Sequence, residues 1–151
     1  MPYQFMKTNY ASVVDWYWRA DILRTNPNFH NRPQFDFALV QINGNQCIFV
    51  QLIFLFSVEF NGRTLDLALV LPLDVPRSLT NRPRDVKLQL TRVQPRRRSS
   101  SVVIDMKLIV RGALLTRDLM SANGEYLVVD SIDEDFWIRL KSVELVQNAH
   151  L

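Results

Sequence analysis

Residues 46–71 read QCIFVQLIFLFSVEFNGRTLDLALVL, two long apolar segments joined by Asn61-Gly62. An Asn-Gly pair accepts positive φ at both central positions of a type I′ turn, which joins antiparallel strands. The second segment alternates with period two, with leucine at positions 65, 67, 69 and 71. The first segment is apolar at nearly every position, which is typical of a central strand covered on two sides or curled inside a barrel. The stretch therefore predicts a long β-hairpin at the centre of a sheet.

Shorter elements are predicted on both sides of this hairpin. Alternating or apolar runs predict strands over residues 35–42, 86–93, 102–107, 126–129 and 136–143. A helix is predicted over residues 12–25, because Ser12 and Asp15 resemble a capping box and apolar residues then recur at helical spacing up to Asn26-Pro27. We therefore expect one mainly β domain over residues 1–151. Its core, residues 35–143, would be a single barrel or sandwich of six to seven strands with one short N-terminal helix.

Composition narrows the class of protein. A chain of 151 residues with 48% hydrophobic and 22% charged residues is typical of a folded domain. A single cysteine, Cys47, with His30 and His150 supplies neither a disulfide framework nor an ordinary zinc site, so no cofactor is expected. The longest apolar run, residues 47–58, is too short to span a bilayer, and no secretory signal pattern opens the chain. We expect an intracellular, nuclear protein that does not enter membranes.

Enzyme motifs are missing from the sequence. The four glycines are scattered and form no phosphate-binding loop, and neither histidine adjoins a nucleophile motif. Carboxylates gather at Asp130, Asp133, Glu134 and Asp135, and paired carboxylates can bind Mg²⁺. A run of consecutive acids is more typical of a solvated turn. The sequence predicts a protein that is not an enzyme, with neither catalytic residues nor a metal site.

The segment between Arg77 and Arg98 carries eight basic residues and one acid, a local net charge of +7 in a chain whose total is +3. Clustered guanidinium groups are typical of surfaces that contact phosphates. The candidate nucleic-acid contacts are Arg82, Arg84, Lys87, Arg96, Arg97 and Arg98. A solvated loop that favours solubility explains the same charges equally well. Residues 118–144, with seven acids and two bases, offer a further alternative, an internal partner for part of the charge.

Aromatic residues supply a second set of contact candidates. Trp18 and Trp137 fall outside the predicted apolar faces, so they could stack on bases or enclose a methylated lysine. Trp16 fits the predicted helix face and is expected in the core. Tryptophans at helical spacing are more often core residues, and for Trp18 and Trp137 this alternative stays open.

Several short sequence segments resemble segments of an accessory domain found in transposon-derived proteins of mushroom-forming fungi. They include Asn26-Pro27-Asn28-Phe29-His30, Leu67-Ala68-Leu69-Val70, Arg111-Gly112-Ala113-Leu114-Leu115 and Tyr126-Leu127-Val128-Val129-Asp130. This resemblance covers residues 20–143 and implies an accessory domain without the transposase catalytic part. The strand order also resembles bromo-adjacent-homology domains, which are β-rich modules that bind chromatin.

Three functions follow in order of preference. The first is a non-catalytic nucleic-acid- or chromatin-binding accessory module that contacts phosphates or an acidic partner through the arginine-rich segment. The alternative is a protein–protein interaction or homodimerisation module that uses the apolar hairpin 46–71. The third is a metal-dependent enzyme that uses the acidic cluster 130–135.

Overall fold

A computed structural model describes residues 1–76 and 88–146. Within these residues the chain forms thirteen strands, three short 3-10 helices and one α-helix. The strands are β1 (Pro2–Tyr3), β2 (Phe5–Ala11), β3 (Trp18–Phe29), β4 (Arg32–Phe35), β5 (Phe37–Asn43), β6 (Gln46–Phe60), β7 (Arg63–Asp74), β8 (Thr91–Pro95), β9 (Val102–Asp105), β10 (Ile109–Ala113), β11 (Leu115–Arg117), β12 (Tyr126–Val128) and β13 (Glu144–Leu145). The α-helix is α1 (Glu134–Ser142), and the 3-10 helices are Arg98–Ser100, Met106–Leu108 and Asp130–Ile132.

The strands form two sheets, and neither closes into a barrel. The larger has ten strands, with the path β10-β5-β6-β7-β8-β12-β11 and with β1, β9 and β13 attached to β6 or β7. The smaller is β2-β3-β4. The prediction of a mainly β chain is confirmed, whereas the predicted barrel and the predicted six to seven strands are wrong. Residues of the larger sheet contribute to two separate buried clusters.

The central hairpin forms as its sequence predicts. Asn61 and Gly62 have φ of 51° and 72°, and β6 pairs antiparallel with β7 from Phe60–Arg63 onward. In the first half of β6, Ile48 and Val50 face a core shared with β3, β9 and β10. Phe49 faces a second core formed with β8, β12 and α1. This half of β6 is therefore a central strand covered on two sides.

The predicted N-terminal helix over residues 12–25 is wrong. Residues 5–11 and 18–24 pair as an antiparallel hairpin, from Phe5–Arg24 to Ala11–Trp18, and a turn joins them. Asp15 caps no helix, because its carboxylate accepts a hydrogen bond from the Tyr17 amide at 3.2 Å and pairs with Arg19. Pairing between strands therefore outweighs the helical spacing of a few apolar residues.

The predicted last strand over residues 136–143 is also wrong, because residues 136–142 belong to α1 and Val143 follows its end. Asp133 caps the helix by accepting a hydrogen bond from the Phe136 amide at 2.6 Å. Acids occupy the first turn of α1 and bases the last, which matches the helix dipole. Of the predicted strand 86–93, residues 91–93 lie in β8, residues 88–90 are not strand, and residues 86–87 lie outside the described residues.

Candidate functional site

The predicted phosphate contacts fall into three groups. Arg82, Arg84 and Lys87 lie outside the described residues, as does Arg77. Arg96 forms an ion pair with Asp74 of β7, and its Nε and Nη2 donate to the two carboxylate oxygens at 2.7 and 2.8 Å. These hydrogen bonds outweigh the cost of burial and raise the pKa of Arg96. A guanidinium held by both oxygens of one carboxylate serves the fold rather than a ligand.

Arg92 pairs with the acidic stretch that follows it in sequence. In the register of β8 and β12 it lies opposite Leu127, and its Nη1 donates to Asp118 and, at 2.8 Å, to Glu125. Burial opposes the charge of Arg92, but these two carboxylates outweigh it and raise the pKa of Arg92. Pairing with the acidic residues 118–144, which was the alternative to phosphate binding, therefore accounts for the charge of Arg92.

Arg97 and Arg98 remain exposed at the 3-10 helix before β9. Neither forms an ion pair with any residue in the described ranges 1–76 and 88–146. The described part of the basic segment thus presents two adjacent arginines to solvent.

The aromatic candidates are exposed as predicted for Trp18 and Trp137. Trp18 is 76% exposed and Trp137 is 44% exposed, with Lys141 Nζ 3.4 Å from the centre of its ring. The prediction that Trp16 belongs to the core is wrong, since this side chain is 78% exposed and its φ is 63°. The turn holds this unusual backbone through hydrogen bonds between Ser12 and both Trp16 and Tyr17.

The acidic cluster holds an arginine that the sequence interpretation missed. Arg111 on β10 is only 3% exposed, and its guanidinium donates to both Asp133 oxygens at 3.1 and 2.9 Å and to Asp135 at 2.7 Å. The Tyr10 ring lies against it at 4.4 Å. No group of three or more potential ligand residues that could hold a metal ion occurs within the described ranges. Asp133 and Asp135 therefore act as partners of Arg111.

Electrostatics within this cluster favour charged carboxylates. Burial alone would raise the pKa of Asp135, but hydrogen bonds from Arg139, the Val13 amide and Arg111 outweigh it and lower that pKa. The same balance of burial against Arg111 and the Phe136 amide lowers the pKa of Asp133. This cluster connects the smaller sheet with β10 and α1. From the sequence, only its carboxylates could be recognised as a group, because Asp133 and Asp135 lie close together in the chain.

The outer half of the central hairpin carries a different surface. The pairing of β6 with β7 shifts register between Leu52 and Phe54. Beyond this irregularity Phe54, Phe56 and Val58 lie directly opposite Leu69, Leu67 and Leu65. Residues paired in this way share one face of a sheet, and β9 adds Val103 opposite Leu69. We call this surface the outer face; it comprises Phe54, Phe56, Val58, Phe60, Leu65, Leu67, Leu69 and Val103.

The outer face is substantially open to solvent. Phe60 is 64% exposed, Val103 54% and Phe54 44%. The opposite side of the same strands carries polar residues near the tip, with Ser57 paired to Asp66 and Glu59 to Thr64. Both sides of the hairpin tip are therefore exposed, one of them polar and the other apolar. The leucines at alternate positions of β7 predicted an apolar face. The sequence could not show that this face is left open by the described part of the chain.

Comparisons with known proteins add no family. No protein-family model, curated protein or solved structure matches this chain. The resemblances to a transposon-derived accessory domain and to bromo-adjacent-homology domains therefore stay predictions. Within the described residues, no helix has the length and apolar character needed to cross a membrane.

Proposed function

We propose that this protein is a non-catalytic interaction module that associates with a second copy of itself through the outer face. The observation that carries the proposal is the outer face itself, eight apolar side chains on three paired strands, several of them about half exposed. Exposed apolar patches of this kind mark interaction sites in folded proteins. This is the alternative that the hairpin sequence suggested, and the hydrogen bonds of Arg96 to Asp74 argue against a phosphate contact at Arg96.

The chemistry of the outer face fits a second copy of the chain. None of its eight side chains is charged, and interfaces between identical subunits are more apolar than other interfaces. A two-fold dimer requires a patch that is complementary to itself, which a continuous apolar surface satisfies. Arg63 lies opposite Phe60 at the tip, and Asp105 lies opposite Leu67 on β9. By the same register rule these two charged residues lie on the same side of the sheet, at the ends of the apolar surface.

The size of the outer face sets the expected strength of association. Three strands spaced about 4.8 Å apart, with a rise of about 3.3 Å per residue, give a surface of roughly 14 by 20 Å. Two such faces bury less than the roughly 1,200–2,000 Å² of a standard protein interface. We therefore expect a dimer that dissociates in about the micromolar range, as weak interfaces do.

A charge in the outer face should abolish this association. Sedimentation velocity of the wild type is expected to show a sedimentation coefficient that rises with concentration across the micromolar range. Val103→Lys would place an ammonium group within the interface and should leave a monomer at every concentration, because a buried unpaired charge is strongly unfavourable. Leu119→Lys is the matched control, since Leu119 is 87% exposed and lies off the outer face. A monomeric wild type, or equal behaviour of the two variants, would refute the proposal.

Nucleic-acid binding in a nuclear setting is a second candidate, favoured by the exposed pair Arg97 and Arg98. Replacing both with alanine is expected to reduce the slope of log K against log salt by about 1.8, because each lost phosphate contact contributes about 0.9. Fluorescence anisotropy with a labelled DNA duplex at several salt concentrations measures this slope. Exposed arginines on other strands, Arg32→Ala with Arg117→Ala, provide the control for net charge. An unchanged slope, or no binding at low salt, would exclude this function for the pair.

A further inference from the structure

A cleft separates the smaller sheet from strands β10 and β11. It has a volume of about 360 Å³, near the lower end for pockets that hold small molecules. Its walls carry both polar and apolar surface, and Ile22, Leu114 and Ile132 are each about half exposed there. Asp21, Asp36 and the buried Arg111 supply charged groups to the lining. The cleft therefore has space for a ligand with a short apolar body and a charged end.

The two carboxylates of the cleft differ in the groups that they contact. Asp21 is tied to the protein, because its Oδ2 accepts from the Gly112 amide at 2.9 Å and lies 3.4 Å from Arg111 Nε. Asp36 accepts only from neutral donors, the Arg24 amide at 2.8 Å and Gln34 Nε2 at 3.0 Å. No cation pairs with Asp36 anywhere in the described ranges. A carboxylate oxygen has two lone pairs, so Asp36 keeps capacity for another donor.

Arg111 does not cancel this negative charge. Its guanidinium is held by Asp133 and Asp135, two carboxylates outside the cleft lining, so its positive charge is already matched. Its Nε is buried and lies 3.4 Å from Asp21 Oδ2, so this part of the guanidinium faces Asp21 and leaves the carboxylate of Asp36 unaffected. The charge that remains without a partner at the cleft is that of Asp36.

We propose that this cleft binds an organic ammonium ion with a short aliphatic body, and that the ammonium group pairs with Asp36. The aliphatic part packs against the exposed surfaces of Ile22, Leu114 and Ile132, and the ammonium group makes a charge-assisted hydrogen bond to the carboxylate. A lysine side chain has this chemistry, and so does a free alkylamine. The proposal is independent of the outer face, because no residue of that face lines the cleft.

The first test is an NMR titration of the ¹⁵N-labelled protein with n-butylammonium, 1-butanol and butyrate. We expect n-butylammonium to give saturable shifts in amides lining the cleft, with the alcohol and the carboxylate binding at least about tenfold more weakly. Shifts outside the cleft, or equal binding of 1-butanol, would overturn the proposal. This comparison needs only the wild type, so it does not depend on the folding of a variant.

The second test removes the charge of Asp36 while keeping its shape. Asp36→Asn retains an acceptor for the Arg24 amide, and should weaken binding of n-butylammonium by about tenfold or more. Asp66→Asn removes the same charge from a different cleft and should leave binding unchanged. Equal affinities of the two variants would overturn the role of Asp36.

Nα-acetyl-lysine methylamide distinguishes the two sources of the ligand. If it binds at least as tightly as n-butylammonium, the cleft accepts a lysine of another protein. If it is excluded while n-butylammonium binds, the ligand is a free amine. Failure of both amines to bind would overturn the proposal.

Discussion

Replacing Arg111 with methionine is expected to lower the free energy of unfolding by about 3–5 kcal/mol, the usual cost of breaking a buried ion pair from one side. The variant would keep the aliphatic bulk of the side chain but leave Asp133 without its cation and Asp135 with the longer hydrogen bonds from Arg139 as its remaining ion pair. Asp135 is itself only 4% exposed, so its charge cannot turn to water. The guanidinium also packs on the Tyr10 and Phe136 rings, at 4.4 and 5.1 Å. Urea unfolding of wild type and variant, followed by tryptophan fluorescence, measures the difference.

Lowering the pH should reduce the difference in unfolding free energy between the wild type and Arg111→Met. The pKa values of Asp133 and Asp135 are lowered in the folded protein from the ordinary value of 3.8. Groups with a depressed folded pKa stabilise the fold above their unfolded pKa, and this contribution is lost as pH falls through the folded pKa. The difference between wild type and Arg111→Met should therefore narrow below about pH 4. Asp15→Asn is the control, because its partner Arg19 is half exposed and surface pairs contribute little. A constant difference from pH 7 to pH 3 would contradict the account of the cluster.

The second large effect is expected for Phe136→Ala, at about 3–5 kcal/mol of lost unfolding free energy. Phe136 is 0% exposed and fills the core between α1 and the larger sheet with Phe49, Val93 and Val128. Removing the ring leaves a cavity that the paired strands around it cannot close without breaking hydrogen bonds. The measurement is again the urea midpoint, with constant slope as the check that both proteins unfold in the same way.

The neighbouring residue provides a control within the same helix. Trp137 is larger than Phe136 but 44% exposed, so Trp137→Ala should cost much less. If the two variants were equally unstable, α1 would not pack through the face that the structure shows. A sequence in which residues 136–143 formed a strand would likewise expose these positions in a different pattern.

Part of the fold could be predicted from local chemistry. Asn61-Gly62 readily adopts positive φ, and the apolar first half of β6 is covered on both sides, so this part of the hairpin was predictable. The helix over residues 12–25 was a wrong prediction because the helical spacing of a few apolar residues is outweighed by strand pairing, which a local pattern does not reveal. The pairing partner, residues 5–11, decides between the two. At residues 136–143 the alternation of Phe136, Ile138 and Leu140 predicted a strand, whereas the acids of the first turn and the bases of the last turn stabilise a helix.

The candidate sites were predictable to different degrees. Counting charges identified the arginine segment. It could not distinguish Arg96, which forms an ion pair with Asp74, from Arg97, which is exposed. Arg111 stands alone among apolar residues, and its partners lie 22 and 24 positions away or in the N-terminal sheet. Only tertiary structure brings them together. The outer face was visible as a leucine pattern, but burial depends on what packs against it, and the sequence does not carry that information.

Self-association through the outer face is tested most directly by intermolecular paramagnetic relaxation. Unlabelled protein carrying a nitroxide at Arg63→Cys, at the margin of the outer face, would be mixed with ¹⁵N-labelled wild type. Selective attachment is feasible because Cys47 is only 2% exposed. We predict broadening of labelled amides in the outer halves of β6 and β7 and in β9, and none from a nitroxide at Leu119→Cys. Sharp signals throughout these strands at high protein concentration, or broadening confined to other surfaces, would contradict the proposed function.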